Sequence, residues 1–293
     1  MTFKKATTID EQISILRNRG LIISDIDKAK EILQDIGYYR LGFYLFPFEE
    51  YYPKLKTRNH IYKEGSYLDY AIALYYLDLD LRQILSKYLN RIEVSIKTTI
   101  IYNLSNKYKD CPTWFADKNI VDEPYISSFY DKVYKRLEKN DIIKRHHKHY
   151  RKDVFAPAWK TIEFMTFGEI NTLYTNLLFI DDKLLISKKF NIYKTKVFES
   201  YIDAVRVLRN ACAHGSAIFD LRLSTSISKG PAFYVDGTNG YSLDAVLSVV
   251  EYLLSSISKN RVRDMKNEIQ NAIQKAEKTY PNVKSLVKTH FSE

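Results

Sequence analysis

Arg209 and His214 are two residues whose types and spacing suit joint chemistry. An imidazole moves protons near neutral pH, and a guanidinium neutralises phosphate. Cleaving RNA without a metal asks for both: the 2′-hydroxyl loses a proton, the 5′-oxygen gains one, and the phosphorane needs a cation. Arg-x4-His is too short a pattern to decide anything alone, because a basic chain meets it by chance. The competing reading is a solvated helix end in which Asp203 and Arg206 pair at i, i+3 and His214 caps the last carbonyls.

The helix that must carry these residues runs from Lys194 to His214. At about 100° per residue, Phe198, Tyr201, Val205, Leu208 and Cys212 form one apolar stripe, and Asp203, Arg206, Asn210 and His214 fall within about 80° on the opposite face. Gly215 suits the left-handed position just past a helix, which puts His214 in the last turn, where the helix dipole favours a cationic ring. Arg209 sits at the border of the two faces, about 140° from His214, so a single straight helix does not aim both at one phosphate. A second copy packed antiparallel across a two-fold axis removes that difficulty, and a homodimer with a composite active site is expected.

The rest of the chain must supply the frame. It has 293 residues, of which 45% are hydrophobic, with 45 basic and 35 acidic side chains and a net charge of +10. Only 9 Gly and 7 Pro punctuate it, too few for the turns of an all-β fold, so an all-α architecture is expected. Cys111 and Cys212 cannot build a disulfide framework, and no CxxC pair suggests structural zinc. With no apolar signal core and no apolar run of membrane-spanning length, a cytoplasmic protein without membrane contact is expected. The positive charge points to a polyanion, and RNA is the expected partner.

Three Ser or Thr residues with an acid three positions later mark expected helix starts: Thr8 with Glu11, Ser24 with Asp27 and Ser66 with Asp69. Residues 1–65 read as a small N-terminal helical unit and a connector, and 66–293 as the main helical domain. Leu74, Leu77, Leu81, Ile84, Leu85, Tyr88, Ile92, Ile96, Ile100 and Leu104 recur at steps of three and four in one long core helix. Pro124 opens a helix to about Asn140, and further helices are expected over Trp159 to Phe164, Phe167 to Leu178 and Asp181 to Phe190. Residues 216–240, with turn signals Asp236-Gly237 and Asn239-Gly240, suit a short hairpin. Ser242 caps an apolar helix to about Ser258, and a charged helix follows to Tyr280.

Lys144-Arg145-His146-His147-Lys148-His149-Tyr150-Arg151-Lys152 is the densest positive segment. Lys144, Arg145, His147, Arg151 and Lys152, with Arg206 from the later helix, are the expected RNA-backbone contacts, weighed against a merely solvated basic face. Its three histidines make a poor metal site among so many cations, and no metal is expected. Asp78, Arg82, Glu93 and Lys97 read as structural, Glu93 and Lys97 as a plain i, i+4 pair. No P-loop, GxGxxG or GxSxG is present, and no cofactor is expected.

Several phrases together resemble a known family. Leu208-Arg209-Asn210-Ala211-Cys212-Ala213-His214 is similar to the signature of HEPN-superfamily ribonucleases, specifically abortive-infection proteins of the Abi-D and Abi-F type. Gly37-Tyr38-Tyr39-Arg40-Leu41, Leu74-Tyr75-Tyr76-Leu77-Asp78 with Leu81-Arg82, Arg91-Ile92-Glu93, Pro157-Ala158-Trp159, Glu163 and Thr166-Phe167-Gly168 match further family phrases in order. The resemblance implies a HEPN-like helical bundle, often dimeric, in which Arg209 and His214 are catalytic and Asn210 orients the site. It implies a metal-independent endoribonuclease, leaving 2′,3′-cyclic phosphate ends and acting as a growth-arresting toxin in phage defence. Some relatives are encoded beside a structured noncoding RNA, which makes a cognate RNA a further expected partner. The alternatives are a noncatalytic RNA-binding protein holding such an RNA, and a helical interaction protein whose charge serves solubility. One departure is Ala217-Ile218-Phe219, where relatives often carry another Arg and a Trp or Tyr.

Overall fold

The computed structural model describes residues 5–54, 58–232 and 240–287. The protein is all-α: among the described residues no strand or sheet forms, and β-pairing is confined to isolated bridges such as Ile22 with Tyr67 and Val121 with Leu177. In order the helices are α1 (Ile9–Asn18), α2 (Ile26–Asp35), α3 (Tyr38–Leu45), α4 (Leu68–Lys107), α5 (Glu123–Phe129), α6 (Asp141–His149), α7 (Ala158–Thr161), α8 (Phe167–Thr175), α9 (Ile180–Ser187), α10 (Thr195–Ala213), α11 (Leu243–Ile257) and α12 (Lys259–Glu277). A π-turn over Tyr130–Tyr134 prolongs α5 into a short turn at Lys135–Leu137. Among the described residues no helix is long and apolar enough to cross a membrane.

Local chemistry starts most of these helices. Thr8 caps α1 with the full reciprocal box: its hydroxyl accepts from the Glu11 amide at 3.3 Å, and its own amide donates to the Glu11 carboxylate at 2.7 Å. Ser242 caps α11 by accepting from the Ala245 amide at 3.3 Å. Ser24 does not cap α2. Asp25 stands directly before the first helical residue and accepts from the Lys28 amide at 3.0 Å. Ser66 does not cap α4 either, because it is buried and its hydroxyl donates to the Phe48 carbonyl. In the described part of the hairpin expected over 216–240, Arg222 forms an antiparallel bridge with Ser242, and the Leu223 and Ile227 amides donate to the Tyr241 and Gly240 carbonyls at 2.8 and 3.0 Å. Asp236, Gly237 and Asn239 lie outside the described residues.

Two compact units are built from interleaved stretches of chain, and α4 and α12 each contribute to both. The first takes Met1–Ile84, Gly215–Asp220 and Lys266–Glu293. Here α1 packs on α2 through Ile13, Leu16, Ala29 and Leu33, and Tyr70 stacks on Tyr280 with ring centroids 4.6 Å apart. The wholly buried carboxylate of Asp78 accepts from the Tyr44 hydroxyl at 2.9 Å and from the Ile218 and Phe219 amides at 2.9 and 2.7 Å. Arg82 stands 3.6 Å from the same carboxylate and donates to the Ser216 carbonyl at 3.4 Å. These structural residues thus serve as a peg for the loop that follows His214. Burial pushes the Asp78 carboxyl above its ordinary range despite the donors that pull it down.

The second unit takes Leu85–His214 and Leu221–Met265. Its centre is α4 beyond Leu85, with Tyr88, Ile92, Ile96, Ile100 and Leu104 buried, as their spacing predicts, joined by Leu89, whereas Ile84 of the same expected series is only half-buried. Helix α10 packs against α8, α9 and α11. Phe198 anchors it, stacked on Phe190 and edge-on to Tyr174, each with centroids 5.3 Å apart.

Candidate functional site

Helix α10 runs without a Gly or Pro until Gly215, whose φ of +68° is the left-handed stop expected there. Phe198, Tyr201, Val205 and Leu208 are buried, so the predicted stripe faces the core, joined by Ile202, Ala204 and Ala211. Cys212 is only half-buried, at the margin of that stripe. On the other side Asp203 holds Arg206, whose Nε and Nη2 donate to one carboxylate oxygen at 2.9 and 2.7 Å. This is the i, i+3 pair foreseen in the solvated-end reading, so the positive charge of Arg206 is locally balanced.

His214 is the C-cap of α10. Its amide donates to the Asn210 carbonyl at 2.9 Å, and the residue is exposed. Arg209 turns elsewhere. Its Nε donates to Glu93 Oε2 on α4 at 3.3 Å, and its Nη1 lies 3.4 Å from the Asn210 side-chain oxygen. Glu93 is buried and shared: Lys97 Nζ meets its other oxygen at 3.0 Å and also reaches the Glu163 carbonyl at 3.4 Å. One carboxylate between two cations leaves the cluster with one positive charge in excess. Because Lys97 is the more deeply buried cation, that excess is available to an anion on the side of half-exposed Arg209. The carboxylate restricts the guanidinium to a few geometries and leaves its other N–H groups as donors.

The i, i+4 pair of Glu93 with Lys97 forms as the sequence suggests, and what sequence reasoning missed is that Glu93 also orients Arg209. A signal was present: Glu93 lies between Ile92 and Ile96 on a helix whose buried positions extend nearly all round, where a solvated charge has no place. The structure therefore joins Arg209, Asn210, Glu93 and Lys97 in one cluster, sets Arg206 against Asp203, and leaves His214 exposed at the helix end.

The basic segment folds as α6, opened by Asn140, whose side chain accepts from the Ile142 amide. Lys144, Arg145, Lys148, Arg151 and Lys152 are exposed. His146 points inward, with Nε2 3.0 Å from the Asp153 carboxylate and its ring stacked on Tyr150 at 4.9 Å. Burial, and secondarily the nearby Lys160, lowers its proton affinity against the pull of Asp153. His147 is half-buried and pairs with the Tyr134 hydroxyl at 2.8 Å. The His146 and His147 rings meet edge to face with centroids 5.4 Å apart, each bonded to a different partner, and among the described residues no group of three or more His, Cys, Asp or Glu is placed to hold a metal ion.

Fold and site together define an all-helical protein in which one long helix presents an arginine, fixed by a buried carboxylate, and a terminal histidine. A family model described as Abi-like protein matches residues 31–220, which include every member of this cluster. The chain belongs to that Abi-like family. No curated protein and no solved structure matches it.

Proposed function

We propose that this protein is a metal-independent endoribonuclease of the HEPN type that arrests growth as a toxin in phage defence, with Arg209 and His214 as its catalytic pair and Asn210 orienting them. The carrying observation is a half-exposed guanidinium tethered to buried Glu93 on the same helix as an exposed terminal imidazole, within the segment matched by the Abi-like family. In the reaction the 2′-oxygen attacks phosphorus and the bond to the 5′-oxygen breaks. One neutral imidazole takes the 2′-hydroxyl proton, an imidazolium returns a proton to the leaving oxygen, and the Arg209 side chain offsets the charge building on the phosphorane. The products are a 2′,3′-cyclic phosphate and a 5′-hydroxyl.

Two imidazoles in different protonation states suit a two-fold arrangement in which both copies of α10 contribute a His214 and an Arg209. The test pairs light scattering with RNA cleavage in EDTA, for the wild type and for Arg209→Ala and His214→Ala. A dimeric wild type that leaves cyclic-phosphate ends, a dimeric His214→Ala variant that does not, and a dimeric Arg209→Ala variant that does so only at a small residual rate are expected. A fully active monomer overturns the composite site, and a His214→Ala protein that still cuts overturns the assignment. Salt-dependent RNA retention by wild type and variants without any cleavage would favour a noncatalytic holder of a cognate RNA.

A further inference from the structure

Helix α3 lies in the first compact unit and has one inner and one outer side. Leu41, Tyr44 and Leu45 are buried, while Tyr39, Arg40 and Phe43 share an outward arc of about 100°. Tyr39 is 84% exposed, more than any other large hydrophobic side chain among the described residues, and Phe43 is 50% exposed. Their rings meet edge to face with centroids 5.5 Å apart, a preformed aromatic corner open to water.

Arg40, between them in sequence, donates Nη1 to the Gly215 carbonyl at 2.8 Å and has no carboxylate partner among the described residues. That hydrogen bond fixes the guanidinium against the backbone while leaving its charge uncompensated. A Cβ on Gly215 would stand 3.5 Å from Arg82 Nη1 and 3.6 Å from Arg40 Nη1, so two guanidinium groups close on this turn. The Asp78 carboxylate lies 3.6 Å from Arg82.

An apolar protein surface laid on this corner would bury the charge of Arg40 without a partner, which is costly. A ligand with a flat aromatic face and an attached anion satisfies both features. We propose that Tyr39, Arg40 and Phe43 form a subsite for one unpaired nucleotide of RNA, with the base stacked on Tyr39 beside Phe43 and the phosphate on Arg40. The proposal rests on RNA being the substrate and deepens that reading by adding selection for single strands. The hydrogen bond to the Gly215 carbonyl holds the Arg40 guanidinium in place for that phosphate.

The test uses the full chain carrying His214→Ala and a fluorescein-labelled ten-nucleotide single-stranded RNA, with a duplex of equal length and a ribose-phosphate strand lacking bases as controls. Tyr39→Ala should weaken single-strand binding about fivefold to a hundredfold, the effect of losing one stacked base. Duplex and baseless strands should change less than twofold, and Tyr39→Trp should restore affinity. Arg40→Gln should lower the slope of log affinity against log salt by about one. Single-strand affinity within twofold in Tyr39→Ala, with unchanged circular dichroism, overturns the subsite. So does a fall in molecular mass of that variant by light scattering, which would make the corner a contact between copies. The two readings fail separately: wild type that binds through Tyr39 but never cuts RNA loses only the nuclease assignment, and wild type that cuts while Tyr39→Ala binds normally loses only the subsite.

Discussion

Replacing Glu93 with glutamine removes one charge and keeps the shape, so it isolates what the buried carboxylate does. Glu93 is met by Lys97 at 3.0 Å and by Arg209 at 3.3 Å. At an effective dielectric near 20, each contact has a gross attraction of about 5 kcal/mol, of which desolvation of the carboxylate offsets a large part. The Arg209 side chain is 37% exposed and its share is screened, whereas Lys97, at 11%, is held by the carboxylate more fully. Glu93→Gln leaves two cations facing a neutral amide and should cost about 2–4 kcal/mol of stability, seen as a melting point lower by several degrees. Arg209→Ala leaves Glu93 with Lys97 and should cost only about 1 kcal/mol. Cleavage should fall about 100-fold in Glu93→Gln, because an untethered guanidinium no longer waits where phosphorane charge develops. The assay is a double-mutant cycle read by thermal denaturation and by initial cleavage rate: once Arg209 is gone, Glu93→Gln should cost no further cleavage. A Glu93→Gln protein that melts and cleaves like the wild type, or two rate losses that multiply independently, would refute the tether.

Neutralising Lys144, Arg145, Arg151 and Lys152 together should lower the salt slope of single-stranded RNA binding by about three, roughly 0.7 per lost phosphate contact, and an unchanged slope removes α6 as an RNA contact. His146 should make the fold acid-sensitive. Its affinity for a proton is lowered by burial from the ordinary 6.5, so as pH falls past 6.5 the unfolded chain is protonated first and stability is lost downward from there. Thermal melts at pH 7.5 and 5.5 should therefore separate more in the wild type than in His146→Gln, and equal separations would dismiss the effect.

Some of this protein was legible in its residue order because short-range rules suffice there. The long apolar period of α4, the Thr8 and Ser242 caps and the left-handed Gly215 each depend on neighbours within a turn or two, and so does the divergence of Arg209 from His214. The same rules foresaw the pair of Asp203 with Arg206. Tertiary packing alone decided the rest. Glu93 and Arg209 are 116 positions apart, and their contact depends on how α4 and α10 are each rotated about their own axes, which is set by burial of Ile92 and Ile96 on the one and of Val205 and Leu208 on the other. Asp78 found the Ile218 and Phe219 amides in the same way, 140 and 141 residues on, because a buried carboxylate must collect donors wherever the chain returns. In α6 the run of cations is uniform in sequence, but Ile143 enters the core and carries His146 inward with it, three residues further along the same face. Lys144 and Arg145 are thereby turned to water, because a helix that buries one side exposes the other.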